Sequence, residues 1–511
     1  MIIIYHQKNK IVEVENDQGL LKFQDKNPVV VLFEAAEKFE NQFIIWCHID
    51  LKDNLSLKNL KSVFHHKKIM ASYNPGHNSF LPNSIGYVDG APFLKINKNV
   101  AYPTWMMSSW VGGIHASILK VLKKDFCHIR NLGFFLISLA KKASDEGLLC
   151  YSEPKLLKDK SVTVAEFKED FFILFQFVKQ NYKAQWTFFL FICLTLFERK
   201  FKFLPLLWSF FFKNKKLTTA VLDNIEVISS KNVVELGTID VIIPTIGRKK
   251  YLYDVLKDLA VQTHLPVNVI IIEQNPNPES SSELDYLTSE DWPFTIKHTF
   301  TNQSGACNAR NLALNQVESE WVFLNDDDNR FGSDLLENVL SNLKRFGLQA
   351  LTTSYLQTNE IKKDLRVKQH SFFGSGNSFI CSNVLNKVKF DMKFEFGYGE
   401  DIDFGMQLRN IGTDIIYFPN LEILHLKAPI GGFRTKPVLR WSSDPIQPKP
   451  SPTVMLCKQL HLTINQVSAY KFILLLKFYK VQKIKNPILY YANFKKQWRQ
   501  SLYWMNNLRN S

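Results

Sequence analysis

Between residues 239 and 434, short and continuously apolar runs alternate with segments of helical spacing. Ile239–Ile243 is one such run, closed by Pro244. Val267–Ile272 is a second, closed by Glu273, Gln274 and an NPNP turn, and Trp321–Leu324 is a third. Unbroken apolar runs of this length suit strands covered on both faces, which occur where helices pack on a parallel sheet. Between them Leu252, Val255, Leu256 and Leu259 recur at helix spacing, and Asn308–Val317 reads as a helix. Ser333 can cap a further helix that carries Leu335, Leu336, Val339, Leu340 and Leu343 on one face and stops at Gly347. The pattern predicts an α/β fold with a mostly parallel sheet and ligands beyond the carboxyl ends of its strands. Pro244–Arg248, Glu273–Gln274 and Asp326–Asp328 all sit at such ends.

The third run passes through Asn325 into three consecutive carboxylates, Asp326, Asp327 and Asp328. Their charges repel, and packing gains nothing from them. Solvation in an acidic turn relieves the repulsion, and so does a hard divalent cation. A second acidic group, Glu400, Asp401 and Asp403, lies in GYGEDIDFGMQLRNIG at the start of a helix. The helix dipole accounts for one acid there, not three. A carboxylate in a cleft can take a proton from an attacking hydroxyl. In QSGACNARN a glycine-containing loop enters a helix carrying Arg310, and both a helix N-terminus and an arginine suit a phosphate. Pro244, Thr245 and Arg248 open a loop able to hold a base or ribose, and Glu273 and Gln274 can hydrogen-bond either. His425 follows another strand-like run. It is a structural histidine or, beside a carboxylate-bound metal, an extra ligand.

In order and spacing these residues resemble the family 2 glycosyltransferases over about residues 238–434. The resemblance implies a GT-A-type, Rossmann-like mixed sheet with helices on both faces. It implies a nucleotide-diphosphate sugar donor held through Mn²⁺ or Mg²⁺, and one inverting displacement by an acceptor hydroxyl. Asp401 is then the base, and Glu400 shares that role or binds the acceptor. Asp327 or Asp328 is the metal ligand, joined by His425. The donor-binding set is Pro244, Thr245, Arg248, Glu273, Gln274, Arg310, Asn325, Asp326, Gly376 in the Gly374–Asn377 loop, Lys427 and Arg434. The expected activity is inverting sugar transfer to a glycan or lipid-linked acceptor, in bacterial surface polysaccharide or glycan synthesis. Two alternatives compete. A nucleotidyltransferase also pairs metal carboxylates with a nucleotide, but more often follows its first strand with a longer Gly- and Arg-rich loop. A non-catalytic carbohydrate-binding protein would be expected to have lost acids that are intact here.

The rest of the chain reads differently. FIIWCHIDL (Phe43–Leu51) aligns with WVFLNDDDN, and GGIHASILKVL (Gly112–Leu122) with GSGNSFICSNVL (Gly374–Leu385). Gly147 and Pro154 have the spacing of Gly412 and Pro419, which sets Phe135 and Leu136 against Glu400 and Asp401. Residues 1–160 are thus expected to be a degenerate, non-catalytic α/β copy of 237–434. Trp186–Phe197, in the segment 161–236, is too short as a helix, about 18 Å, to cross a hydrocarbon core of about 30 Å. That segment reads as helices bridging domains or lying at a membrane interface. From Thr435 onward there are 13 Lys or Arg and one acid, Asp444, so this tail carries +12 of the net +15. With its aromatic residues it is expected to be a basic helical extension, packed on the catalytic domain or touching an anionic membrane rather than nucleic acid. Seven scattered cysteines without a CxxC pair and a short N-terminal apolar run suggest a cytoplasmic protein, peripheral at the inner membrane face.

Overall fold

The computed structural model describes residues 1–214, 216–217, 222–429 and 438–510. The chain forms two compact units, Met1–Lys231 with Thr463–Tyr470, and Asn232–Leu462 with Lys471–Ser511. Most of the helical segment expected at 161–236 therefore belongs to the first unit.

The first unit has strands β1 (Ile2–Gln7), β2 (Lys10–Asn16), β3 (Gly19–Leu20), β4 (Phe43–His48), β5 (Ile69–Tyr73), β6 (Tyr102–Pro103), β7 (Val111–His115) and β8 (Leu149–Ser152). They form one sheet in the order β3-β2-β1-β4-β7-β5-β8-β6. Its helices are α1 (Pro28–Lys38), α2 (Leu57–Val63), α3 (Ala116–Phe126), α4 (Leu132–Ala143), α5 (Phe171–Asn181), α6 (Gln185–Glu198) and α7 (Phe203–Ser209). Trp46 of β4 is fully buried, and its indole N–H donates to Ser108 O at 2.9 Å. The adjacent β7 carries Gly112 because a Cβ there would lie 2.3 Å from the Trp46 ring. Pro205 does not break α7. It sits in the first turn, where backbone N–H groups have no partner within the helix.

The second unit has β9 (Ile239–Thr245), β10 (Asn268–Gln274), β11 (Thr295–Thr301), β12 (Trp321–Asn325), β13 (Asn329–Phe331), β14 (Ala350–Gln357), β15 (Lys368–Gln369), β16 (Asn377–Cys381) and β17 (Ile416–His425). The order is β11-β10-β9-β12-β16-β14-β17-β13, with β15 also on β17. Its helices are α8 (Lys249–Ala260), α9 (Tyr286–Ser289), α10 (Ala306–Leu314), α11 (Leu335–Phe346), α12 (Glu400–Asn410), α13 (Pro452–His461), α14 (Ile464–Tyr479, divided between the units at Tyr470) and α15 (Pro487–Asn510). The four strands β11-β10-β9-β12 are parallel, as expected. Beyond β12 the sheet is mixed, because β16 runs antiparallel to both β12 and β14. Gly347 ends α11 with φ 66°, and Asp334 rather than Ser333 precedes that helix.

Five strands of each sheet share one order and sense. β1-β4-β7-β5-β8 and β9-β12-β16-β14-β17 both read parallel, antiparallel, antiparallel, parallel. Phe43 pairs with His115 as Trp321 pairs with Cys381, so Cys47–Asp50 hold the ladder positions of Asn325–Asp328. Gly147 and Gly412 precede β8 and β17 with φ 94° and 93°. At the far edge the sheets differ. β2 and β3 fold back antiparallel, whereas β10 and β11 run parallel.

The C-terminal helices of the second unit bury an aromatic stripe. Tyr490, Phe494, Trp498, Ser501, Met505 and Leu508 of α15 recur at three- and four-residue spacing and are buried, with α13 packed against α15. The Trp504 indole N–H and the Gln500 amide both donate to Asp444, the tail's one acid. Much of the aromatic content expected at an interface thus serves packing.

Candidate active site

A cavity of about 1290 Å³ opens at the carboxyl ends of β9, β10 and β12. Pro244, Thr245, Arg248, Gln274, Arg310, the three aspartates, Gly376, Glu400, Asp401, His425 and Lys427 all line it, so strand ends far apart in sequence converge there. Glu273 and Asn325 do not. Glu273 faces His298 at 2.9 Å and accepts the Glu283 N–H. Asn325 is buried and accepts from Asn329, which also donates to Gly376 O at 2.7 Å. Asn325 therefore bears on the Gly374–Asn377 loop rather than on the cavity. Arg434 lies outside the described residues.

Each aspartate has different partners. Asp326 accepts from Arg310 at 3.1 Å and from the Tyr355 hydroxyl at 3.0 Å. Gly376 admits it, since a Cβ there would lie 2.1 Å from an Asp326 carboxylate oxygen. Asp327 is buried, and accepts from Thr245 Oγ1 at 2.7 Å and Arg248 Nη1 at 2.5 Å. Burial pushes its carboxyl up to about 6 against the pull of Arg248. Asp328 accepts the Ala428 N–H at 2.8 Å and lies 3.4 Å from His425 Nε2. Burial alone would raise it, but His425, the Ala428 N–H and Arg248 hold it below the usual carboxylate range. His425 is also stacked on Tyr355, centroids 4.7 Å apart. Carboxylates are the donors a hard divalent ion takes beside phosphate, while imidazole suits transition metals better. Among the described residues, however, no three such groups converge on one point.

Glu400 and Asp401 begin α12 behind Gly399, whose φ of 120° turns the chain. Burial, reinforced by Asp401, raises Glu400 to about 7. Burial likewise raises Asp401, opposed by Arg310 and by hydrogen bonds from Ser375. One Asp401 oxygen, Oδ1, is buried without a hydrogen-bond partner. Asp403, the third acid, belongs to the scaffold. It accepts from Gln407 at 2.7 Å and lies 2.7 Å from His461 Nε2 of α13.

The N-terminus of α10 corrects one expectation. It is not open to a phosphate, because Glu395 accepts the Cys307 and Asn308 N–H groups and Gln274 accepts that of Gly305. Arg310 turns instead to Asp326 and to the face of Phe390, 5.5 Å away. Sequence reasoning missed Glu395, Tyr355, Lys362 and Lys363, all on the cavity wall. One available signal was the lysine pair following Asn359–Ile361 in a polar loop. Six described non-glycine residues have left-handed backbone, and three of them, Asn359, Phe396 and Lys427, line this cavity. Such conformations cost roughly 1–3 kcal/mol each and cluster at functional sites.

Residues 240–398 match the family described as Glycosyl transferase family 2. The second unit contains a family 2 glycosyltransferase domain. An uncharacterized glycosyltransferase of Rickettsia conorii is 29% identical over 150 residues, covering 29% of this chain and 24% of that protein. Glycosyltransferase GlyG of Streptococcus pneumoniae serotype 4 is 19% identical over 161 residues, covering 30% of this chain and 52% of that protein. The chain thus spans about a quarter of the Rickettsia relative and half of the pneumococcal one. Among solved structures, S. aureus TarS 1–349 in complex with UDP-GlcNAc aligns with TM-score 0.37 and 16% identity, over 52% of this chain and 79% of that one. The family match covers most of the cavity wall and stops just short of Glu400 and Asp401. The cavity wall itself continues beyond the matched residues, to α12 and β17.

Proposed function

We propose that the second unit transfers a sugar, with inversion, from a nucleotide-diphosphate sugar to an acceptor hydroxyl. One observation carries this reading: a single cavity sets the Asp326–Asp328 cluster and two arginines within reach of a carboxylate pair whose pKa values burial raises. Asp401 takes the proton of the attacking hydroxyl through its unpartnered Oδ1, and Ser375 orients the carboxylate. Arg248 and Lys427 face the diphosphate and offset its charge as the leaving group departs. Arg310 keeps Asp326 and the Glu400–Asp401 pair compatible in one buried space, since its charge acts on all three. Asp327 or Asp328, joined by His425, would hold Mn²⁺ or Mg²⁺, which would supply Lewis-acid neutralisation of the diphosphate. Thr245 and Gln274 line the part of the cavity nearest the parallel edge of the sheet, which suits a nucleoside.

The acceptor side carries aromatic surface. Phe372 and Phe396 line the cavity and are more than 40% exposed, and Tyr417, stacked on His370, is also on its wall. Such faces suit a sugar ring, in keeping with a glycan or lipid-linked acceptor at the cytoplasmic face of a bacterial membrane. The first unit we read as the non-catalytic counterpart of this domain. Its helix α4 buries Phe135 and Leu136 where α12 presents Glu400 and Asp401. The test is a thermal-shift panel of nucleotide diphosphates and nucleotide sugars, with and without Mn²⁺. Stabilisation by one nucleotide class, enlarged by Mn²⁺, is expected. Stabilisation by free sugars alone would make the protein a carbohydrate binder instead.

A further inference from the structure

Helices α6 and α7 of the first unit carry large apolar side chains on their outward faces as well as on their buried ones. α7 buries Pro205, Leu206 and Ser209 and turns Leu204, Leu207 and Trp208 outward. Phe211, just past its end, is 80% exposed. α6 buries Thr187 with Leu190, Cys193 and Leu194, and turns Phe188, Ile192 and Leu196 outward, one side chain per turn. A helix at a water-facing surface carries polar side chains on its outward face instead. The outward side chains meet one another. Phe188 lies 5.6 Å from Phe210, Phe172 lies 6.4 Å from Trp208, and Trp208 lies 5.9 Å from Phe211, ring centroid to centroid. Twelve large apolar side chains between Phe172 and Phe211 are at least 40% exposed. At roughly half exposure each they present on the order of 1000 Å², beyond the few hundred Å² usual for a monomer's largest apolar patch.

The rim of this face is basic. From Glu169 to Leu217 there are eight Lys or Arg and three acids, Glu169, Asp170 and Glu198; Glu169 pairs with Lys200 at 3.4 Å, and Asp170 caps α5. Glu198 accepts from the Ser84 hydroxyl and pairs with Lys200 at 3.1 Å. Lys200 and Lys202 lie over the Phe171 ring at 5.2 and 4.4 Å, and Lys179 over Phe210 at 5.5 Å. In each case the ammonium nitrogen itself lies over the ring, so positive charge sits at the border of the apolar face.

We propose that this face docks on an anionic phospholipid bilayer, with α6 and α7 lying in its plane. Spanning is excluded for these helices. α6 has 14 residues, about 21 Å, and no helix of the described residues is long and apolar enough to cross a membrane. A bilayer fits better than a protein partner. Apart from the Trp208 indole, the outward residues of α6 and α7 named above carry no hydrogen-bonding group, whereas a protein interface of this size carries about ten hydrogen bonds and is depleted in lysine. Lipid tails ask for no hydrogen bonds, and anionic headgroups attract the basic rim. The inference does not rest on the transfer chemistry. It also moves membrane contact away from the C-terminal tail, where Tyr490, Phe494 and Trp498 are buried.

The test is flotation of the full chain with phosphatidylcholine vesicles, with and without phosphatidylglycerol. The wild type is expected to float with the anionic vesicles. Binding should weaken without vanishing at about 1 M salt, where the Debye length is about 3 Å. The variant Leu204→Gln/Leu207→Gln/Phe211→Gln is expected to lose at least about tenfold in partitioning, with its unfolding midpoint unchanged because all three side chains point outward. If it fails to fold, Phe211→Gln alone takes its place. The tail variant Ile488→Gln/Leu489→Gln/Tyr491→Gln should float like wild type. The proposal is overturned if the wild type does not float, or if the α7 variant floats equally well. It is also overturned if the wild type self-associates through this face and the variant does not, which would make the face a contact between copies.

Discussion

Replacing Glu400 by glutamine tests the electrostatics of the carboxylate pair directly. In an unfolded chain this carboxyl titrates near its ordinary value of 4.5, while burial and Asp401 hold it at about 7 in the fold. The protonated form is thus favoured by folding. That contribution is fully present below 4.5 and is lost as the pH rises through about 7. At about pH 8.5 the ionised side chain therefore lowers stability by at most about 3 kcal/mol, less what solvent screens at its exposed edge. The amide of the Glu400→Gln variant cannot ionise and escapes this loss. The variant should be about 1–2 kcal/mol more stable than wild type at about pH 8.5 and no more stable at about pH 4. Urea unfolding at the two pH values, with m unchanged, measures the difference. A gain of equal size at both, or a loss at high pH, would refute the reasoning. Activity gives a second readout. Coupling between two ionising groups is mutual, so removing the Glu400 charge should move the acid limb of transfer to lower pH. If that limb vanished instead, Glu400 rather than Asp401 would be the group whose ionisation it reports.

Three further substitutions probe separate parts of the reading. Asp401→Asn should lower kcat by about 10²–10⁴ while nucleotide-sugar affinity, measured by calorimetry, stays within a few-fold of wild type; equal loss of both would take Asp401 out of the base role. Asp328→Ala should abolish the Mn²⁺-dependent part of donor binding and leave the part seen with chelator, so an unchanged metal response would remove Asp328 from the ligand set. Trp498→Ala, at a buried position on α15, should destabilise the protein by about 3–5 kcal/mol in urea unfolding, and a negligible change would show that the tail helices do not share the core of the second unit.

Much of the transferase domain was legible because strand ends announce themselves. A run such as Trp321–Leu324 has to be buried, and a carboxylate cluster cannot follow it inward, so the acids mark the rim of the sheet. The same logic set Thr245 and Arg248 beside them, and the structure puts Arg248 against Asp327 and Asp328. Contacts between residues distant in sequence were not legible. Nothing local in Glu395 says that it closes the N-terminus of α10, nearly ninety residues earlier, and a glycine-containing loop entering a helix looks the same whether a phosphate or a carboxylate completes it. Asp403 was equally opaque, since its partner His461 comes from a helix in the basic tail.

The helices α6 and α7 show a limit of another kind. Periodicity reports which residues share a helical face, but direction relative to the core is inferred from the rule that apolar faces turn inward. α6 is apolar nearly all round, so the rule returns no direction. In α7 it returns the wrong one, because Pro205 and Ser209 face in while Leu204, Leu207 and Trp208 face out. The rule assumes water as the surrounding solvent. Where exposure contradicts it over a dozen side chains, the assumption about solvent is what gives way, and a rim with eight basic residues against three internally engaged acids points to an anionic lipid surface in its place.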